Sequence, residues 1–229
     1  MISLQEGIIP IVDKQKPYAL VAITKHGVAH ARSYAEKFPY ADLYYMRKFK
    51  QGDEDHRHIQ LFDGTVRLLL PALFQQYKAV ICIISLGAVV RMIAPLLVDK
   101  KQDPAVLVVD DKGQYVISVL SGHIGGANAL TQEFAEAIGA VPVITTASDV
   151  QKTIPVDLFG AKFGWIWDAE DKLTPVSAAV VNEEPVAIVQ ETGEKNWWMH
   201  DTPMPPSLTV YCSTEEAIAQ KPNATLLIT

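Results

Sequence analysis

Six short runs set the strongest limit on how this chain can fold. They are YALVAIT at 18–24, ADLYYM at 41–46, AVICII at 79–84, AVLVV at 105–109, YVISV at 115–119 and VPVIT at 141–145. Several are apolar along their whole length rather than on alternate residues. Such a strand needs cover on both faces, which a parallel sheet flanked by helices supplies. Helix-compatible spacing lies between them at His26–Lys37, at Thr65–Tyr77 in spite of Pro71, and at Ser85–Leu97, where Pro95 limits or bends the helix. Gly126–Ile138 follows the same pattern, with Gly139 as its C-cap. Asp110-Asp-Lys-Gly113 is an Asp/Gly turn between two strand runs, so those two are expected to form a hairpin. The alternation predicts an α/β fold: a mostly parallel sheet with flanking helices and one hairpin.

Beyond Asp149 the texture changes. Residues 156–164 predict a short helix, and Val176–Val181, Pro185–Val189 and Leu208–Cys212 read as strands around a long loop at 193–206. A second, smaller α/β domain is expected there, giving domains at 1–150 and 151–229. With 229 residues, 49% of them hydrophobic, the chain can bury the core of one large domain or two modest ones. The formal charge of -6, without a like-charge block or a basic patch interleaved with aromatics, argues against nucleic acid as a partner. KFKQGDEDHRH at 48–58 reads as a surface loop. Cys82 and Cys212 show neither CxxC nor finger spacing and read as reduced thiols. No run reaches the ~18 apolar residues that a membrane span needs, and MISLQEG lacks a signal-peptide pattern. No membrane association and a cytoplasmic location are expected.

The chemistry concentrates in loops after strands. VLSGHIGGAN at 119–128 places glycines between a strand end and a helix start. Gly122, Gly125 and Gly126 would let a ligand approach the backbone, and the helix start would offer N–H groups to an anion. A tight structural turn with local capping is the alternative. The run matches none of GxxxxGK[ST], GxGxxG and GxSxG, which counts against a nucleotide site and a serine elbow. Ser121 and His123 would share a side if the segment were extended. His123, flanked by glycines and of a side-chain type whose unperturbed pKa lies near neutrality, is a candidate acid, base or hydrogen-bond donor. Asn128 offers a cap or an amide for a ligand. Arg91 presents a planar fork to a carboxylate or to a structural ion pair, and Lys100 is a further cation or part of a solvated turn. Thr145, Thr146, Ser148 and Asp149 supply hydroxyls and a carboxylate, or an N-cap and linker. Thr24–Gly27 adds another polar loop. His26 and His30, without a third ligand, make a weak metal site. The loops at 24–27, 85–91, 121–128 and 145–149 are expected on one rim of the sheet.

An ordered set of these segments resembles a known family. The blocks are GAVVRMIAPLLVDK at 87–100, DPAV at 103–106, VDDKG at 109–113, ISVLSGHIGGAN at 117–128 and PVITTASD at 142–149. They are similar to CbiG, the cobalt-precorrin-5A hydrolase of anaerobic cobalamin biosynthesis. The resemblance is strong over 18–150 and looser beyond, resting there on PVSAAVV at 175–181. ASD at 147–149 stands where TATD is common in the family, keeping a hydroxyl and the carboxylate. The resemblance implies opening of a δ-lactone on a cobalt-containing tetrapyrrole, with release of acetaldehyde to give cobalt-precorrin-5B. Cobalt would enter with the substrate, so no cofactor or protein-bound metal is expected. In that reading His123 or Asp149 activates water, and Ser121, Asn128 or the glycine-loop amides serve the oxyanion. Arg91, Lys100, Thr145 and Thr146 bind the polycarboxylate. Family members commonly carry an additional C-terminal domain, sometimes supplied as a separate CobE-like protein, which this chain is expected to lack. A second copy of the chain is the other partner considered. A non-catalytic tetrapyrrole-binding or scaffold subunit is the alternative function.

Overall fold

In the computed structural model, which describes residues 1–168 and 172–229, the chain forms two compact units, Met1–Ile144 and Thr145–Thr229. The division places Thr145–Asp149 with the second unit, not with the sheet that precedes it.

The first unit is built on the all-apolar runs. Its strands are β1 (Tyr18–Ala22), β2 (Ala41–Met46), β3 (Gln60–Phe62), β4 (Ala79–Ile83), β5 (Ala105–Val109), β6 (Tyr115–Leu120) and β7 (Val141–Val143). They form one sheet in the order β3-β2-β1-β4-β5-β6-β7. Every neighbouring pair is parallel except β5 and β6, the hairpin around Asp110–Gly113. Helices α1 (Lys25–Lys37), α2 (Leu70–Gln76), α3 (Leu86–Ile93) and α4 (Ala127–Ile138) cover the faces. Pro71 falls in the first turn of α2, where its missing N–H costs no helical bond.

Side-chain alternation along the strands builds two cores. Leu20, Ala22, Ile81, Ile83, Leu107 and Val109 pack with Val28 and Tyr34 of α1 and Phe134 of α4. Ala19, Val21, Val80, Cys82, Val106 and Val108 pack with Leu70 and Leu73 of α2 and Val89 and Ile93 of α3. Burying a side chain such as Leu20, Ile81 or Leu107 contributes about 1.5–3 kcal/mol each. This double cover is what the unbroken apolar runs require. No helix among the described residues is long and apolar enough to cross a membrane.

The hairpin has a consequence for function. β1 to β5 run in one direction, and β6 and β7 in the other. The loops after β1 and β4 therefore leave one rim, whereas the loop after β6 leaves the opposite rim, where β5 begins. Leu120 pairs with Val106 near the start of β5.

The second unit contains α5 (Ala147–Gln151), α6 (Leu173–Val181), β8 (Val186–Gln190), β9 (Leu208–Tyr211), α7 (Thr214–Ala219) and β10 (Ala224–Ile228). Its strands form a parallel sheet in the order β10-β8-β9. Val176–Val181, expected as a strand, is helical. Leu173, Val176, Ala179 and Val180 recur at helical spacing and pack into one cluster with Ile188, Leu226 and Ile228. The helix expected at 156–164 is instead two 3-10 turns, Val156–Leu158 and Ala161–Phe163. Gly160, at φ 77 in the left-handed region, separates them.

Candidate functional site

The SGHIGGAN loop is built from its own backbone. β6 ends at Leu120, and Ser121 turns the chain with φ 58. The segment is thus not extended, and the same-side placement of Ser121 and His123 does not follow. Ser121 Oγ donates to the Asp103 carbonyl at 2.9 Å, which ties the loop to the start of β5. Asp103 in turn accepts the Val98 N–H at 3.0 Å through Oδ1.

Gly126, at φ 81, is the N-cap of α4. An α-helix leaves its first four N–H groups without helical partners. Here the Gly126 N–H donates to the His123 carbonyl at 2.9 Å, Ala127 to Ser121 at 3.0 Å, and Asn128 to Gly122 at 2.9 Å. The expected row of amides open to an anion is therefore mostly consumed by the loop itself. The glycines follow the same logic. A Cβ on Gly125 would collide with the Ser121 side chain, and one on Gly122 would stand 2.8 Å from Asn128 Oδ1. Asn128 is buried at the second position of α4, not at its cap, and its Oδ1 accepts from Ser118 Oγ at 2.7 Å. Ser121, Gly122, Gly125 and Asn128 thus shape a rigid loop. His123 stands half-buried at its centre.

Lys100 lies exposed in the segment leading to Asp103, on the same rim as this loop. Ile124, Leu97 and Val98 are large apolar residues exposed in these segments. Arg91 is exposed in the last turn of α3. Neither Arg91 nor Lys100 forms an ion pair among the described residues, so the structural-pair alternative for Arg91 is not realised there.

The single-rim expectation fails. Thr24–Gly27 and Ser85–Gly87 leave the C-terminal ends of β1 and β4, opposite the glycine loop. At that other rim, Thr24 Oγ1 accepts the Gly27 N–H at 2.9 Å and donates to Asp111 Oδ1 at 2.8 Å. Tyr34 packs over Gly113 and meets His30 Nδ1 at 3.3 Å. These contacts close the helix start and the β5–β6 turn on each other. Thr145, Thr146 and Asp149 belong to the second unit. Thr145 is exposed, Thr146 is the N-cap of α5, and Asp149 is exposed in its first turn, where a carboxylate suits the helix dipole. Asp149 therefore lies within a helix rather than at an N-cap.

Comparison with known proteins then decides the family. Residues 69–149 match the model described as cobalamin synthesis G N-terminal, and residues 154–229 match the cobalamin biosynthesis central region. The chain is 60% identical over its 229 residues to a cobalt-precorrin-5A hydrolase of Priestia megaterium, covering 61% of that protein. It is 36% identical over 186 residues, 81% of its length, to the cobalt-precorrin-5A hydrolase of Salmonella typhimurium, covering 49% of that protein. The chain carries the N-terminal and central regions of the cobalamin biosynthesis G family. It spans about three-fifths and one-half of the length of these two relatives. A solved structure described as a cobalamin biosynthesis protein G homolog from Sulfolobus solfataricus aligns at 18% identity with a TM-score of 0.44. That alignment covers 84% of this chain and 52% of the other.

Every site residue expected from the sequence, from Arg91 to Asp149, falls inside the family's N-terminal match. Thr24 and the other rim's first loop lie outside it. Two features of this family chain escaped the sequence reading. The polar stretch at 48–58 contains Glu54, which is buried and accepts from Tyr45 Oη at 2.7 Å and from the Gly52 N–H at 2.9 Å. Burial works against its charge, but the Gln51 and Gly52 N–H groups and the Tyr45 hydroxyl hold the carboxyl down at about 2. Buried Arg32 donates to Tyr45 Oη at 2.7 Å and to Asp53 at 2.5 Å, completing a structural network. The second feature is an aromatic cleft in the central region. Its sequence signal was GWIW at 164–167.

Proposed function

We propose that this chain takes part in the hydrolysis of cobalt-precorrin-5A, the activity named for both curated relatives. The observation that carries this reading is the 60% identity to the Priestia megaterium enzyme along the whole chain. Water adds to the lactone carbonyl, the ring C–O bond breaks, and a carboxylate and a hydroxyl result. Loss of the hydroxyl proton and collapse to a carbonyl break the bond to the macrocycle, whose conjugated system takes up the bonding electron pair. The two-carbon unit departs as acetaldehyde and leaves cobalt-precorrin-5B.

The geometry supports His123 as the group that moves the proton in the first unit. It is the imidazole of a loop that the bonds of Ser121 to Asp103 and of Asn128 to Ser118 hold in place. An imidazole can take a proton from water and return it. Asp149 is the carboxylate alternative, carried by α5. Lys100 and Arg91, both exposed, offer charge to the substrate's carboxylates, and Thr145 and Thr146 offer hydroxyls. Gly122, Gly125 and Gly126 act by fixing the loop. This reading places the chain in the cytoplasm, takes cobalt as part of the substrate and calls for no further cofactor.

Replacing His123 with Ala tests the assignment. Turnover should fall at least about 100-fold while substrate binding changes little, because general acid–base catalysis contributes roughly 10²–10⁴-fold. Unchanged turnover would remove His123 from the mechanism, and the same loss in Asp149→Asn alone would move the role there. A chain that binds substrate yet releases acetaldehyde only when a separate C-terminal region is added would be one part of a split enzyme. Binding without release in either case would favour the scaffold reading.

A further inference from the structure

All four tryptophans of the chain, Trp165, Trp167, Trp197 and Trp198, lie in the second unit. Two of them line a cleft of about 650 Å³, within the roughly 300–1,000 Å³ of small-molecule sites. Phe159, Ile166, Leu173, Val176 and Leu227 supply more of its apolar wall. Lys172, Asp168, Thr192 and Thr225 supply polar groups.

Trp165 is held in place from several sides. A Cβ on Gly160 would overlap its ring, and one on Gly193 would come within 3.0 Å of it; both glycines have positive φ, at 77 and 79. Phe159 meets the indole edge to face, with centroids 5.6 Å apart at 85°, and Phe163 lies 5.4 Å away. The indole is thus pre-organised before any ligand arrives. Next to it, Ile166 is 93% exposed and Leu227 is 53% exposed. Fixed aromatic surface beside exposed aliphatic surface, with one ammonium at the margin, suits a flat conjugated ring bearing carboxylates. Among the described lining residues, a phosphate-rich ligand would meet a single lysine beside the Asp168 carboxylate.

We infer that this cleft is a binding site for the face of a conjugated, carboxylated macrocycle. The inference rests on the proposed function for the identity of the ring, and assigns a place that the named activity does not. Trp165 and Trp167 contact the ring, Ile166 and Leu227 cover its apolar edge, and the Lys172 side of the cleft receives a carboxylate.

Uroporphyrin, a stable flat tetrapyrrole with eight carboxylates, serves as the probe. It absorbs where tryptophan emits, so titration into the full chain should quench indole fluorescence with saturation. Ile166→Glu is the decisive variant, because a side chain 93% exposed contributes little to folding. It should weaken binding at least tenfold with an unchanged circular-dichroism spectrum. Trp167→Ala should do the same, and His123→Ala should leave probe affinity as it is. Equal affinity in wild type, Ile166→Glu and Trp167→Ala would overturn the inference, as would the absence of saturable quenching. Acetaldehyde release measured on the same preparations separates the two readings. Release without cleft-dependent binding sinks the cleft alone. Cleft-dependent binding without release, even with the remaining part of the longer relatives supplied, sinks the hydrolase reading alone.

Discussion

Replacing Gly125 with Ala tests why the loop is glycine-rich. The new Cβ would collide with the Ser121 side chain and stand 2.8 Å from the Ser121 carbonyl oxygen. That oxygen accepts the Ala127 N–H, and Ser121 Oγ holds the Asp103 carbonyl. Relief of the clash must move Ser121 and loosen both bonds. Forcing a methyl into packed space costs about 1–3 kcal/mol, and each weakened hydrogen bond about 0.5–1.5 kcal/mol. Because the terms overlap, the expected loss is about 2–4 kcal/mol, or roughly 5–15 °C in Tm for a chain of this size. Gly126→Asn is the control. Gly126 sits at φ 81 with no atom within 4 Å of a new Cβ, and Asn tolerates that conformation. Its expected cost is below about 1 kcal/mol. Thermal unfolding followed by circular dichroism compares the two. A Gly125→Ala variant melting within 2 °C of wild type, or a more damaged Gly126→Asn, would refute the self-packing of the loop. If the glycines served ligand approach, substrate affinity would fall in Gly126→Asn with Tm intact.

Other consequences are open to measurement. Glu54 has a folded pKa of about 2 against 4.5 for the free side chain, so its stabilisation is present above pH 4.5 and lost as pH falls towards 2. Urea midpoints should drop over that window, and drop less steeply in Glu54→Gln; parallel curves would remove Glu54 as a cause. Burial pushes the Cys82 thiol up to about 12, whereas Cys212 is exposed. Ellman's reagent should therefore titrate one thiol in the native chain and two in denaturant, and two rapid native thiols would contradict the packing. Thr24→Val removes both the α1 cap and the bond to Asp111, at a cost of about 1–2 kcal/mol. Acetaldehyde release per folded molecule should stay unchanged in it, because Thr24 lies on the rim away from His123; a selective loss of turnover would return the site to that rim.

Much of the first unit was legible because its strands declare themselves. β2 and β5 have the bounds that the sequence runs predict, since burial on both faces keeps their residues almost wholly apolar, with Asp42 of β2 the exception. β3 escaped because three residues are too few to show a pattern. α6 was misread from its valines, although Leu173, Val176, Ala179 and Val180 carry helical spacing. The separation of the two rims is implicit in the sequence. The hairpin around Asp110–Gly113 was expected, and an antiparallel β6 must end where β5 begins. Following that reversal through would have separated 121–128 from 24–27 and 85–87. The burial of Glu54 was not legible, because its partners Arg32 and Tyr45 stand 22 and 9 positions away, and pairing at that distance leaves no local mark. The loop's self-satisfied amides were equally hidden, since VLSGHIGGAN spells the same letters whether its N–H groups face a ligand or its own carbonyls.

The most direct test of the central claim is an anaerobic single-turnover assay of acetaldehyde from cobalt-precorrin-5A, with the chain in excess. The account predicts one equivalent of acetaldehyde per equivalent of substrate, and a rate at least about 100-fold lower in His123→Ala. No acetaldehyde from a chain that binds the substrate, even with the remaining part of the longer relatives supplied, would contradict it.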